Sequence, residues 1–272
     1  MSSTKFILIT GGGGGIGLEM ARLLASREHS LILVGRDTVR LQAAAKELRA
    51  THGAEVHVHS VDLSEPGAAQ RLFEHTQNHG FHIDTLINNA GFGIVDAHIE
   101  IEPAQIYRML QLNVVAVAEL CRCYGELMKQ RRAGRILNIA STAAFQPTPY
   151  FAAYGASKAF VLNFSEALAK EMEDYSVTVS CLAPGPTDTA FFNGIDAQRI
   201  DGGHFFRKDG RADPRIVAQA GVELMLIGGL TRVVGASNRF MIFGNRLAPR
   251  ALVAAISKRM LRPLPIDRSL ER

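Results

Sequence analysis

The sequence of 272 residues contains no tryptophan and only three cysteines, and none of its apolar runs approaches the ~18 residues needed to span a membrane. Cys121, Cys123 and Cys181 are odd in number and too few for a disulfide framework, which excludes a disulfide-stapled secreted fold and fits a reducing compartment. Cys121-x-Cys123 lacks the spacing and the companion pair of a zinc site. After Met1 the first apolar stretch is about five residues, too short for a signal-peptide core. These shortages predict a soluble, cytoplasmic protein. Excess charge is scarce as well, at net +4, yet it is unevenly placed. From Arg232 onward there are nine Lys/Arg against two Asp/Glu, so the preceding part is slightly acidic and the basic character belongs to the tail.

Glycine, by contrast, is concentrated. Thr10-Gly11-Gly12-Gly13-Gly14-Gly15-Ile16-Gly17 follows the apolar run Phe6–Ile9 and precedes a helical pattern from Leu18 to about Glu28. A buried strand, a glycine turn and a helix N-terminus in that order make a cradle for a phosphate, because the backbone can approach the anion and the first-turn N–H groups point at it. Taken alone, such a run also fits a mobile N-terminal turn. Downstream, Leu31–Val34, Val56–Val61, Ile83–Ile87, Arg135–Ala140 and Val177–Leu182 read as buried strands alternating with helices. Asp37 suits a helix cap, Gly53 and Gly80 helix stops, and Pro66 and Pro103 helix starts. Connections this long exclude hairpins and predict an α/β, Rossmann-like, doubly wound parallel sheet flanked by helices. Residues 1–235 are expected to form one catalytic domain with a lid at 190–214, and 236–272 a basic helical extension of it.

Ligands of such sheets bind at the carboxyl ends of the strands, which here carry Thr10, Gly35-Arg36, Asp62, Asn88-Asn89, Ser141 and Pro184-Gly185. Tyr154 and Lys158 lie one turn apart on a predicted helix, and a fixed ammonium there is expected to lower the phenol's pKa and suit it to acid–base work. Ser141, thirteen positions earlier, can bond a substrate carbonyl oxygen. Each has a plainer alternative, a solvated pair or a turn serine.

In order and spacing, Thr10-Gly11-x-x-x-Gly15-x-Gly17, Asn88-Asn89-Ala90-Gly91, Asn113, Ser141, Tyr154-x-x-x-Lys158 and Pro184-Gly185-Pro186-Thr187-Asp188-Thr189 resemble the single-domain branch of the short-chain dehydrogenase/reductase family, over roughly Lys5 to Thr189. The resemblance implies a tetrad in which Tyr154 exchanges a proton with the substrate oxygen, Lys158 tunes it and holds ribose hydroxyls, Ser141 orients the substrate and Asn113 positions a water. It also implies a dinucleotide held by Thr10, Gly11, Gly13, Gly14, Gly15, Ile16 and Gly17, by Arg36, Asp62 and Leu63, by Asn89, Ala90 and Gly91, by Tyr154 and Lys158, and by Pro184, Gly185, Thr187 and Thr189. Arg36 stands about where an NAD enzyme has an acid and an NADP enzyme an arginine, so NADP(H) is expected. Gly14 departs from the pattern, since many NADP members are basic there.

The expected activity is reduction of a ketone or aldehyde, or oxidation of the alcohol, on an apolar and acyl-like substrate. The alternative is a catalytically silent nucleotide-binding regulator or scaffold. A homodimer or homotetramer pairing through helices near 103–131 and 151–175 is expected, without nucleic acid. His57/His59 and His75/His79 lack an accompanying acid and read as surface histidines on outer elements, so no metal is expected. Phe191, Phe192, Phe205 and Phe206 suggest an apolar wall or a lid packed on the core. In the tail, in place of a final strand, Phe240, Phe243 and Leu247 fit one helical stripe, and Leu252, Val253, Ile256 and Met260 another, among arginines and lysines. Such helices can lie on an anionic membrane, meet an acidic acyl carrier, or merely cover the lid.

Overall fold

The computed structural model describes residues 4–194 and 210–262. Seven parallel strands, β1 (Lys5–Thr10), β2 (Ser30–Gly35), β3 (Val56–Ser60), β4 (His82–Asn88), β5 (Gly134–Ile139), β6 (Val177–Ala183) and β7 (Thr231–Val233), form one sheet in the order β3-β2-β1-β4-β5-β6-β7. The inner strands β1 and β2 carry unbroken apolar runs, Phe6–Ile9 and Leu31–Val34, because helices cover both faces. Alternate residues of β1 show this: Ile7 and Ile9 pack on one side with α1 (Gly15–Ala25), α2 (Thr38–His52) and α7 (Pro214–Ile227), while Phe6 and Leu8 pack on the other with α3 (Ala68–Asn78) and α5 (Ala116–Arg131). The long helix α6 (Ala152–Glu173) lies against β6. Tyr124 of α5 is fully buried there, and its phenol bonds Thr76 of α3 at 2.9 Å.

Local chemistry accounts for most boundaries. Asp37 caps α2 by accepting from the Arg40 N–H at 3.0 Å, and Gly53 closes it in the left-handed region, as expected. Three expectations change. The helix expected to open at Pro66 begins at Ala68, because Gly67 adopts φ +72. The stretch expected as one helix over 103–131 is α4 (Pro103–Leu110), a π-turn at Gln111–Val115 and α5. The chain also does have a last strand: α7 returns it to β6, where Thr231 pairs with Cys181 as β7, before the tail helices α8 (Ala236–Leu247) and α9 (Arg250–Leu261). No helix among the described residues is long and apolar enough to cross a membrane.

Candidate active site

At the centre of the sheet, β1 and β4 are neighbours whose chains leave to opposite faces, and this opens a crevice at their carboxyl ends. The glycine turn sits in it. Thr10 Oγ1 accepts the N–H groups of Asn89 and Ala90, each at 3.0 Å, while Asn89 Nδ2 donates to the carbonyls of Thr10 and Gly11 at 2.9 and 3.3 Å. These bonds fasten the turn to the end of β4. A Cβ at Gly17 would stand 2.4 Å from the Gly11 carbonyl oxygen, so only glycine lets α1 come this close to the turn. Gly14, at the N-cap of α1, offers no side-chain cap, which leaves the first-turn N–H groups facing the crevice. Thr189, from the Pro184-Gly185 turn, closes over Gly15 from the other side.

Beyond the turn, Gly35, Arg36, Asp62 and Leu63 form one end of the cavity. Asp62 Oδ1 accepts from the Ser64 N–H and hydroxyl at 2.9 and 2.6 Å, and Oδ2 takes Arg108 at 2.8 Å. Burial alone would raise this carboxyl; the Ser64 bonds and the charges of Arg108 and Arg36 outweigh it and hold it below its usual range. Arg40, one turn into α2, also lines this end and was not singled out from sequence. The signal was there, since a residue three after the cap must turn back toward the same strand end as Arg36.

At the other end, Ser141 follows β5 and accepts the Ala143 N–H at 3.1 Å. Tyr154 and Lys158 enter from the first two turns of α6. The Phe151 ring stacks on Tyr154 at 4.2 Å and Phe191 approaches it at 5.5 Å. Lys158 Nζ donates to the Ile139 carbonyl at 2.8 Å and lies 5.9 Å from the centre of the tyrosine ring. This corrects the expectation that the ammonium lowers the phenol: burial pushes Tyr154 up to about 12, opposed by a hydrogen bond from Ser141, and burial pushes Lys158 down to about 8. Asn113, fully buried on the π-turn, does not line the cavity. Its amide bonds Phe92 O at 2.9 Å, Ser157 Oγ at 3.1 Å and the Phe92 N–H at 3.2 Å. Gly91 keeps the space beside it open, since a Cβ there would come within 3.1 Å of Asn113 Oδ1 and 3.3 Å of Lys158 Nζ.

The glycine turn, Arg36, Asp62, Ser141, Tyr154 and Lys158 line one cavity of about 830 Å³. Of the residues expected to bind or react, only Thr10, Gly17 and Asn113 are absent from its wall; they stand behind it. Phe191, Phe192, Met241, Met260 and Leu261 give the Tyr154 end an apolar lining, so α8 and α9 contribute directly to the site, a role their sequence does not announce. Phe205 and Phe206 lie outside the described residues. The histidines stand apart on the edge strand β3 and on α3. His79, just after α3, is exposed as expected, while His57, His59 and His75 are half-buried, with the His59 and His75 rings stacked at 3.8 Å. No group of three or more His, Cys, Asp or Glu among the described residues is placed to hold a metal.

A phenol, a hydroxyl and an ammonium at the end of a glycine-cradled crevice can deliver a proton to a carbonyl oxygen and stabilise charge on it. The human protein named 17-beta-hydroxysteroid dehydrogenase type 3 is 32% identical over 203 residues, covering 73% of this chain and 64% of that protein. The chain thus spans less than two thirds of that relative's length. Carbonyl reductase family member 4 of Xenopus tropicalis is 30% identical over 197 residues, 72% of this chain and 81% of that one. A short-chain dehydrogenase from Sphingobium yanoikuyae, solved in complex with NADPH, superposes with a TM-score of 0.78 at 29% identity, covering 89% of this chain and 94% of the other. Residues 5–200 match the short chain dehydrogenase family, and this chain belongs to it.

Proposed function

We propose that the protein is an NADP(H)-dependent oxidoreductase that reduces the ketone of a bulky apolar substrate, or oxidises the corresponding secondary alcohol. The observation that carries this reading is the single cavity that joins the glycine turn and two arginines at one end to Ser141, Tyr154 and Lys158 at the other. The crevice fits a dinucleotide: Gly17 lets α1 come up against the turn, Gly14 leaves the helix N-cap without a side chain, and the cavity joins a cationic end to an acid–base end. The 2′-phosphate would be held by Arg36 and Arg40, the pyrophosphate by the turn from Gly11 to Ile16, and the ribose by Lys158. A bound nicotinamide supplies or accepts the hydride.

The chain's own groups do the rest. Tyr154 stays protonated at neutral pH and gives its proton to the substrate oxygen during reduction; in the reverse direction it takes one back. With no substrate the Ser141 hydroxyl gives its one proton to a hydrogen bond with Tyr154 and favours the phenolate; with a ketone bound it turns that proton to the substrate oxygen. Lys158 keeps the positive charge one turn away. Asn113 positions α6 by holding Ser157, whose hydroxyl bonds the Tyr154 carbonyl at 2.7 Å. The apolar lining from Phe151, Phe191, Phe192 and the tail methionines suits a bulky ketone, and the name of the hydroxysteroid dehydrogenase relative points the same way. An acyl chain would also find apolar contact there.

The chain works as one unit in this reading, with 236–272 as part of the catalytic domain 1–235, because α8 and α9 line the same cavity. Self-association through α4, α5 and α6 is supported by exposed Tyr107, Leu110, Val115 and Phe160 on those helices and the π-turn between the first two. Three free cysteines support a reducing, cytoplasmic setting. Fluorescence titration with NADPH and NADH tests the cofactor assignment. NADPH should bind at least about tenfold more tightly, and Arg36→Ala should remove most of that preference, in line with the worth of a charge-assisted bond. Equal affinities in the unaltered protein would overturn it.

A further inference from the structure

The tail helices have a second face that the proposed reaction does not use. On α8, Phe240, Phe243 and Leu247 are 79%, 59% and 75% exposed, while Ile242 is buried and Met241 lines the cavity. On α9, Leu252 and Ile256 are 52% and 53% exposed, while Val253, Ser257 and Leu261 turn inward. Large apolar side chains grouped on the outward ridges of two successive amphipathic helices mark a surface that something apolar covers. Their surroundings select the partner. From Val234 to Ile266 the sequence holds no Asp or Glu, while Arg239, Arg246, Arg250, Lys258, Arg259 and Arg262 flank the apolar ridges. None of these six forms an ion pair among the described residues.

We propose that α8 and α9 dock this protein peripherally on an anionic lipid bilayer surface, with Phe240, Phe243, Leu247, Leu252 and Ile256 entering the interface and the flanking arginines and lysine bonding lipid phosphates. Long basic side chains on an amphipathic helix can lay their methylene stems along the acyl boundary and keep their charges among the headgroups. An acid-free stretch of this length meets the negative potential of such a surface with no repulsive group. The inner sides of the same helices wall the apolar end of the cavity. A ketone dissolved in the bilayer therefore has a short route to Tyr154; this last clause rests on the proposed activity, whereas the docking does not.

The test is co-sedimentation of the full chain with phosphatidylcholine vesicles and with vesicles containing about one third phosphatidylglycerol. The protein should bind the anionic vesicles at least about tenfold better than the neutral ones and release as salt rises. The variant Phe240→Ser/Phe243→Ser/Leu247→Ser alters only exposed side chains outside the cavity wall. It should lose vesicle binding and keep its NADPH affinity, which separates docking from the cofactor assignment. No binding of the unaltered protein to anionic vesicles, or undiminished binding by the triple variant, would overturn the proposal, as would preference for an acidic protein such as an acyl carrier over the vesicles.

Discussion

Tyr154 and Lys158 illustrate how burial decides the chemistry of single residues. Both line the same cavity, and both are shifted away from their charged forms, the phenol up to about 12 and the ammonium down to about 8. The expectation from spacing alone, that the lysine lowers the tyrosine, treated the pair as if only charge mattered. Sequence does not reveal that Lys158 docks on the Ile139 carbonyl or that the rings of Phe151 and Phe191 close on the phenol. A dependence on pH follows, with its sign fixed by the direction of the Lys158 shift. Below about 8 the lysine is charged and the tyrosine fully protonated, so kcat/KM for ketone reduction should be level; above about 8 it should fall as the lysine loses its proton. A pH–rate profile from about 6 to 10 checks this, and a reduction rate that climbs across that range would contradict it.

Among the elements, those with a strong period were legible and those set by tertiary contacts were not. Phe6–Ile9 and Leu31–Val34 could be read as buried parallel strands because an apolar run this short and this dense needs cover on both faces. The π-turn at Gln111–Val115 has no breaker residue to announce it. It arises where Asn113 turns into the core to bond Phe92 and Ser157. The three-residue strand β7 is too short to carry a period. In α9 the stripe was recognised but its direction was not, since Val253 goes in while Leu252 and Ile256 stay out. The glycine turn makes the sharpest prediction at this scale. Gly17→Ala places a methyl against a backbone carbonyl that cannot move aside, so it should destabilise the fold by about 1–3 kcal/mol and weaken nucleotide binding. Thermal denaturation with and without NADPH measures both; a variant as stable and as responsive to NADPH as the parent would contradict the described closeness of α1 to the turn.

Across the whole molecule, Thr10, Gly35-Arg36, Asp62, Asn88-Asn89, Ser141 and Pro184-Gly185 fall at the carboxyl ends of β1 to β6, and the sheet order brings them to one crevice. That convergence was readable in advance because parallel strands in a doubly wound sheet present the same end to the ligand. The closing wall was not readable, because α8 and α9 meet the cavity through Ser237, Asn238, Met241, Ser257, Met260 and Leu261, which carry no motif. The proposed function is hydride transfer to a ketone bound in this crevice, with Tyr154 as the acid. NADPH consumption with a panel of bulky apolar ketones, compared between the parent and Tyr154→Phe, tests it most directly. The parent should turn over at least one ketone, and the variant should bind NADPH normally while its kcat falls about 10²–10⁴-fold. Equal rates in the two proteins, or no turnover by a parent that binds NADPH, would contradict the account.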